Sequence, residues 1–147
     1  MNERMKRLSS WCVFALGATA LYVGTNTLLA DTPAGAKSSD PSLGKSVYEA
    51  KCMQCHGREG KGNGIAAAAL APRPRDFTAG KFKFRSTESG SIPTDDDLLN
   101  TIRNGLHSTA MPDWQAFLGA DSLKAVLAYV KSFSPRFQNE SPKVVRI

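Results

Sequence analysis

Thiol and imidazole groups are scarce in this chain: three cysteines, Cys12, Cys52 and Cys55, and two histidines, His56 and His107, stand among 147 residues. That scarcity argues against a structural zinc site, which needs four ligands, usually two close Cys or His pairs. Beyond Cys52, Cys55 and the adjacent His56, only Cys12 and His107 remain. No strand and helix alternation surrounds Cys52 and Cys55, so a thioredoxin-like redox pair lacks its context. Long apolar runs are equally rare. Trp11 to Ala30 is the single largely apolar stretch, and without a second one the remainder reads as a soluble domain. Setting aside Arg4, Lys6, Arg7 and Glu3 leaves 16 Lys and Arg against 12 Asp and Glu. This mild basic balance, with no aromatic-interleaved basic patch, does not suit nucleic-acid binding.

The N-terminus follows export logic. A short basic-leaning start with Arg4, Lys6 and Arg7 precedes the apolar stretch, as in a secretory signal peptide. Cleavage after Ala30 would release the chain from Asp31, with Cys12 lost. The polar Thr25-Asn26-Thr27 and small Ala30 favour cleavage. The alternative is an uncleaved membrane anchor over residues 1–30, since Trp11 to Ala30 is about the length that spans a bilayer. Either way the positive residues stay inside and the rest lies outside the cytoplasm. The expected location is therefore periplasmic, with anchoring to the outer face of the inner membrane as the second possibility.

What is present is the run Cys52-Met53-Gln54-Cys55-His56. C-x-x-C-H is the attachment signature of a covalent c-type haem. The thiols have the spacing to add across the two vinyl groups of one porphyrin, and the following imidazole is placed to bind the iron from one face. A plain disulfide in an oxidising compartment gives no reason for the histidine directly after the second cysteine. One haem c, attached through Cys52 and Cys55, is the expected cofactor.

Residues 31–41, rich in Ala, Ser, Gly, Asp and Pro, read as a flexible linker. Residues 42–134 read as one domain and residues 135–147 as a C-terminal tail. Ser42 is positioned to cap a helix running to about Met53, with Leu43, Val47 and Ala50 on its apolar face. Gly57 to Gly64 lacks the Gly-Lys-Ser/Thr ending of a phosphate loop and reads as a tight turn around a porphyrin edge. The run Ile65 to Ala71 is short enough for one helical turn, and Pro72-Arg73-Pro74-Arg75 then forces extended chain. Lys81 to Arg85 alternates like a strand without a partner, and is read as an extended loop laying Phe82 and Phe84 over apolar cofactor surface. Thr94 caps a second helix, about Asp95 to Gly105, with three aspartates at its positive end and Leu98, Ile102 and Leu106 as its buried stripe. The third long helix runs from about Ser122 to Phe133, burying Leu123, Val126, Leu127 and Val130. Three helices and long loops make too small a core without a buried cofactor.

A second axial ligand is sought downstream, where the candidates are Met111, in Ala110-Met111-Pro112-Asp113-Trp114, and His107. The order C-x-x-C-H, Gly-rich loop, Pro-containing extended segment, helix, M-P-x-W and C-terminal helix resembles a class I c-type cytochrome from Ser42 to Phe133. The resemblance implies an all-α cytochrome c fold of three main helices plus long loops around one haem. It implies His56 and Met111 as iron ligands and Trp114 as an aromatic of the haem wall. It implies close crossing of the first and last helices through Gly44, Tyr48, Val126 and Tyr129. It further implies that a proline carbonyl accepts the Nδ1 proton of His56; Pro72 and Pro74 are both eligible and Pro72 is preferred.

With His/Met ligation the reduction potential rises, because a thioether favours ferrous iron. The expected function is a monohaem electron carrier, not an enzyme, cycling Fe(II) and Fe(III) between redox partners. Lys61, Lys81, Lys83 and Arg85 stand as a rim steering acidic partners or as a generic basic surface. Arg73 and Arg75 are read either as neutralising haem propionates or as solvated loop charges. Two alternatives stay open: an electron-transfer subunit of a membrane-associated respiratory or dehydrogenase complex, and a haem-based gas sensor or catalyst with displaceable Met111.

Overall fold

The structure, a computed structural model, describes residues 40–145. The expected signal peptide or anchor over 1–30, Cys12 and residues 31–39 of the expected linker lie outside the described residues. Helix α1, Pro41–Lys51, begins at Asp40, whose carboxylate accepts the Ser42 N–H at 2.8 Å. The cap is thus Asp40 rather than Ser42. The proline at the first helical position needs no donor there, and a carboxylate suits the positive end of the helix. Cys52 closes α1 by donating its N–H to Tyr48 O, and the single turn α2, Met53–His56, follows directly.

A 3-10 turn spans Ala67–Ala69, as the short alanine run suggested. The second long helix, α3, covers Asp95–Asn104. Thr94 Oγ1 accepts from Asp97 N–H while the Asp97 carboxylate accepts from Thr94 N–H, so two otherwise unpaired helix-end donors are satisfied reciprocally. The third, α4, covers Ala120–Ser132, and a short α5, Arg136–Asn139, comes after it. Among the described residues there is no strand, and Lys81 to Arg85 is loop. The architecture is all-α, with long connections. No helix among the described residues is long and apolar enough to cross a membrane.

The fold depends on the crossing of α1 and α4. A Cβ added at Gly44 would lie 2.3 Å from the Ala125 carbonyl oxygen, so only glycine lets the two backbones approach this closely. Tyr48, fully buried, packs beside Val126 and against the rings of Tyr129 and Phe133 at 5.3 and 5.0 Å. The buried face of α1 is therefore Gly44 and Tyr48, flanked by Leu43 and Val47; Ala50, expected on that face, is exposed. A second cluster joins Leu98 and Leu99 of α3 to Leu123 and Leu127 of α4. Phe82 and Ile102 pack against both clusters.

Residues 135–145, read from the sequence only as a tail, fasten the loop 80–91. The Arg136 guanidinium donates to Gly80 O at 2.9 Å and Gly90 O at 2.8 Å while pairing with Glu140. Farther along, Glu88 N–H donates to Lys143 O and Val145 N–H to Ser86 O.

Candidate functional site

The two free thiols and His56 are delivered by the turn that follows α1. Its geometry is set by one carbonyl: Cys52 O accepts both Cys55 N–H and His56 N–H, at 3.1 and 2.9 Å. Gly57 then turns the chain with φ 81, and its carbonyl accepts the Tyr48 hydroxyl at 2.7 Å. Tyr48 is therefore more than packing, because it ties the first helix to the residue after His56. Burial raises the Tyr48 phenol pKa, with Cys52 and Tyr129 adding to the effect. Burial, then the neighbouring Cys55, pushes the Cys52 thiol up to about 11.

The imidazole of His56 is held on two sides. Its Nδ1 lies 3.0 Å from the Arg75 carbonyl. A carbonyl can only accept, so Nδ1 carries the proton and Nε2 keeps its lone pair. The Phe77 ring stacks on the imidazole at 4.4 Å and 17°. Burial lowers the His56 pKa, opposed by the bond to Arg75, so the ring is neutral at neutral pH, the form that binds metal. The acceptor is the carbonyl of Arg75, not that of Pro72 or Pro74. Pro74 O is turned toward Gly62, where an added Cβ would lie 2.5 Å from it, and the next carbonyl reaches His56.

A cleft of about 280 Å³ opens on these groups. Cys52, Cys55 and His56 line it together with Met111, Pro112 and Trp114. Its walls are mostly apolar: Leu70, Pro72, Phe77, Phe82 and Phe84 from the connections, Leu98, Ile102 and Leu106 from α3 and its end, Val126 and Val130 from α4. Phe84 is 59% exposed although it lines this cleft, as expected of a side chain meant to lie on a bound apolar surface. Arg73, Arg75, Lys51 and Lys83 bring positive charge to the same cleft. Of the expected basic rim, Lys61 is paired with Glu59, and Arg85 donates to the carbonyls of Phe82 and Glu88 inside its own loop. Lys83 alone of that set lines the cleft.

Met111 follows α3 on a loop pinned to that helix. Leu106 N–H donates to Met111 O, and Trp114 and Gln115 N–H donate to Ile102 and Arg103 O. The other ligand candidate, His107, is exposed and does not line the cleft. The sequence reading missed Phe77 and the Arg75 carbonyl; neither has a spacing signal, since one is a lone aromatic after a Pro-rich segment and the other is backbone. Among the described residues no three His, Cys, Asp or Glu side chains gather as a metal cage. The donor set of two thiols at C-x-x-C spacing, a neutral imidazole and a thioether, all on one apolar cleft, fits a covalently held porphyrin.

Fold and site together define a class I c-type cytochrome domain, a class whose cofactor is covalently bound haem c. The family model described as cytochrome c oxidase, cbb3-type, subunit III matches residues 39–130, and the chain belongs to that family. It is also similar to a chain of the Kuenenia stuttgartiensis reducing HAO-like protein complex Kustc0457/Kustc0458, with 39% identity and a TM-score of 0.70. That match covers 74% of this chain and 50% of the other, so this chain spans half the length of the solved relative.

Proposed function

We propose that this protein is a monohaem cytochrome that carries single electrons between redox proteins outside the cytoplasm, with His56 and Met111 as its two axial ligands. The observation that carries the reading is the presence of Cys52, Cys55, His56 and Met111 on one apolar cleft from which His107 is absent. When bound, haem c supplies an iron that alternates between Fe(II) and Fe(III) by one electron.

The chain's own residues determine how that exchange proceeds. Cys52 and Cys55 hold the group covalently. The Nδ1 bond to Arg75 O leaves His56 Nε2 as the donor and increases its basicity. The Met111 thioether, on the same cleft, would be the second donor to the iron, and a thioether favours the reduced state. Phe82, Phe84, Leu98 and Ile102 exclude water, and Arg73 and Arg75 offset negative charge at the cleft. Were both His56 and Met111 to hold the iron, a small ligand would have to displace one of them, which favours a carrier over a sensor or catalyst. The basic start and apolar stretch before Asp31 support export.

The solved relative is a chain of a complex of two proteins, Kustc0457 and Kustc0458. That supports a stable redox partner protein for this chain, and an electron-transfer subunit of a membrane-associated complex is the second reading. The test is a pair of variants. Met111→Ala should retain covalent haem and bind carbon monoxide when reduced, whereas His107→Ala should leave the iron closed. The opposite pattern would overturn the ligand assignment.

A further inference from the structure

The loop that presents Met111 is organised around one hydroxyl. Thr109 is partly buried and lines the cleft next to Met111. Its Oγ1 donates to Leu106 O at 2.8 Å and accepts the Met111 N–H at 3.2 Å. The Thr109 N–H donates to the same Leu106 carbonyl at 3.1 Å, and Leu106 N–H donates to Met111 O at 3.1 Å. Leu106 to Met111 is thereby closed on itself, with two of the closing bonds passing through the Thr109 hydroxyl.

The loop needs that closure. Ser108 has φ 64, a left-handed conformation that a residue with a side chain keeps only when its surroundings hold it. On the other side, a Cβ added at Gly105 would lie 2.6 Å from Met111 O and from Pro112 C, so the helix end abuts the Met111 backbone. Gly105 limits movement of the Met111 carbonyl from below, while Thr109 restrains its amide. A hydroxyl can donate and accept at once; neither valine nor alanine can replace it.

We propose that Thr109 is a positioning residue for Met111, its hydroxyl fixing the Met111 backbone and so setting how firmly the thioether holds its place against a competing ligand. The proposal rests on the reading of Met111 as the second axial ligand. Removing the hydroxyl leaves Met111 N–H without its partner and takes one bond from Leu106 O. The cost falls on the conformation in which Met111 faces the cleft, because a displaced loop can hydrate both groups.

The experiment is a titration of the oxidised, haem-loaded full chain with imidazole, followed by loss of the weak red absorption of a thioether bound to ferric iron. Thr109→Val should be half-displaced at about tenfold lower imidazole than the unaltered protein, the scale of a net hydrogen bond or two. Thr109→Ser, which restores the hydroxyl, should stay within about twofold of the unaltered protein. Should Thr109→Val fail to mature with haem, Thr109→Ala makes the same comparison with a smaller side chain. Equal midpoints for the hydroxyl-free and unaltered proteins would overturn the proposal. So would a Thr109→Ser midpoint matching that of Thr109→Val, which would make the methyl group responsible. If the unaltered protein showed no thioether absorption and bound imidazole as Met111→Ala does, the ligand assignment itself would fall, and the proposal with it.

Discussion

Replacing Gly44 by alanine sets two effects of opposite sign against each other. Gly44 lies within α1, where alanine is favoured over glycine by about 1 kcal/mol. Against this, the new Cβ would lie 2.3 Å from Ala125 O, 2.9 Å from Ala125 C and 3.1 Å from Tyr129 Cβ. Relieving the closest of these to an ordinary contact requires α1 and α4 to separate by roughly 1 Å. The obstacle is backbone, which cannot rotate aside, and the shift would loosen Tyr48 and Val126 in the same cluster. Overpacking costs about 1–3 kcal/mol, and here the upper part applies. The net destabilisation is about 2 kcal/mol after the propensity gain, or a fall in Tm of about 8–15 °C for a domain of this size. The assay is thermal and guanidinium unfolding of the haem-loaded protein, followed by far-ultraviolet circular dichroism. Ser46→Ala, at an exposed position of the same helix, is the control for propensity alone and should be neutral or slightly stabilising. A Gly44→Ala protein as stable as the unaltered one would refute the close-crossing argument.

Three further outcomes follow from the geometry. Tyr48→Phe removes the hydroxyl donor to Gly57 O, while that carbonyl still accepts the Gly60 N–H at 3.1 Å, so denaturant unfolding should show a loss of about 0.5–1.5 kcal/mol. Asp97→Asn should weaken the α3 cap by about 1 kcal/mol at neutral pH. Although burial raises the Asp97 pKa, bonds from Ser86 and Thr94 hold it below its ordinary 3.8. The folded carboxyl thus binds its proton less readily than the unfolded one, and its contribution is present above that pH and lost as the pH falls through it. A stability–pH series should therefore show the two proteins converging below about pH 4. Arg136→Ala removes the bonds to Gly80 and Gly90 carbonyls, and amide exchange in the 80–91 loop should quicken by about tenfold, while α1 and α4 stay protected.

How far the sequence could be read depended on whether a feature repeats or stands alone. The long helices were legible because apolar residues recur at helical spacing, as at Leu123, Val126, Leu127 and Val130, and because Thr94 precedes three aspartates. The attachment motif was legible because its spacing is local. Gly44 and Tyr48 were legible only through family resemblance, and the role of Tyr48 toward Gly57 was not. Ala50 was misplaced because alanine carries too little apolar area to reveal which face it takes. The His56 acceptor was misplaced because any of several carbonyls in an extended segment can serve, and their direction depends on register relative to Gly62. Arg136 was silent because its partners, Gly80 O and Gly90 O, are backbone groups distant in sequence.

The central reading is a closed haem that only exchanges electrons, and absorption spectroscopy tests it most directly. Protein matured in a periplasm competent for haem c attachment would be recorded oxidised, reduced, and reduced under carbon monoxide. A c-type spectrum that carbon monoxide leaves unchanged is the predicted result. A spectrum shifted by carbon monoxide would contradict the closed His56/Met111 site, and the absence of covalent haem would contradict the reading as a whole.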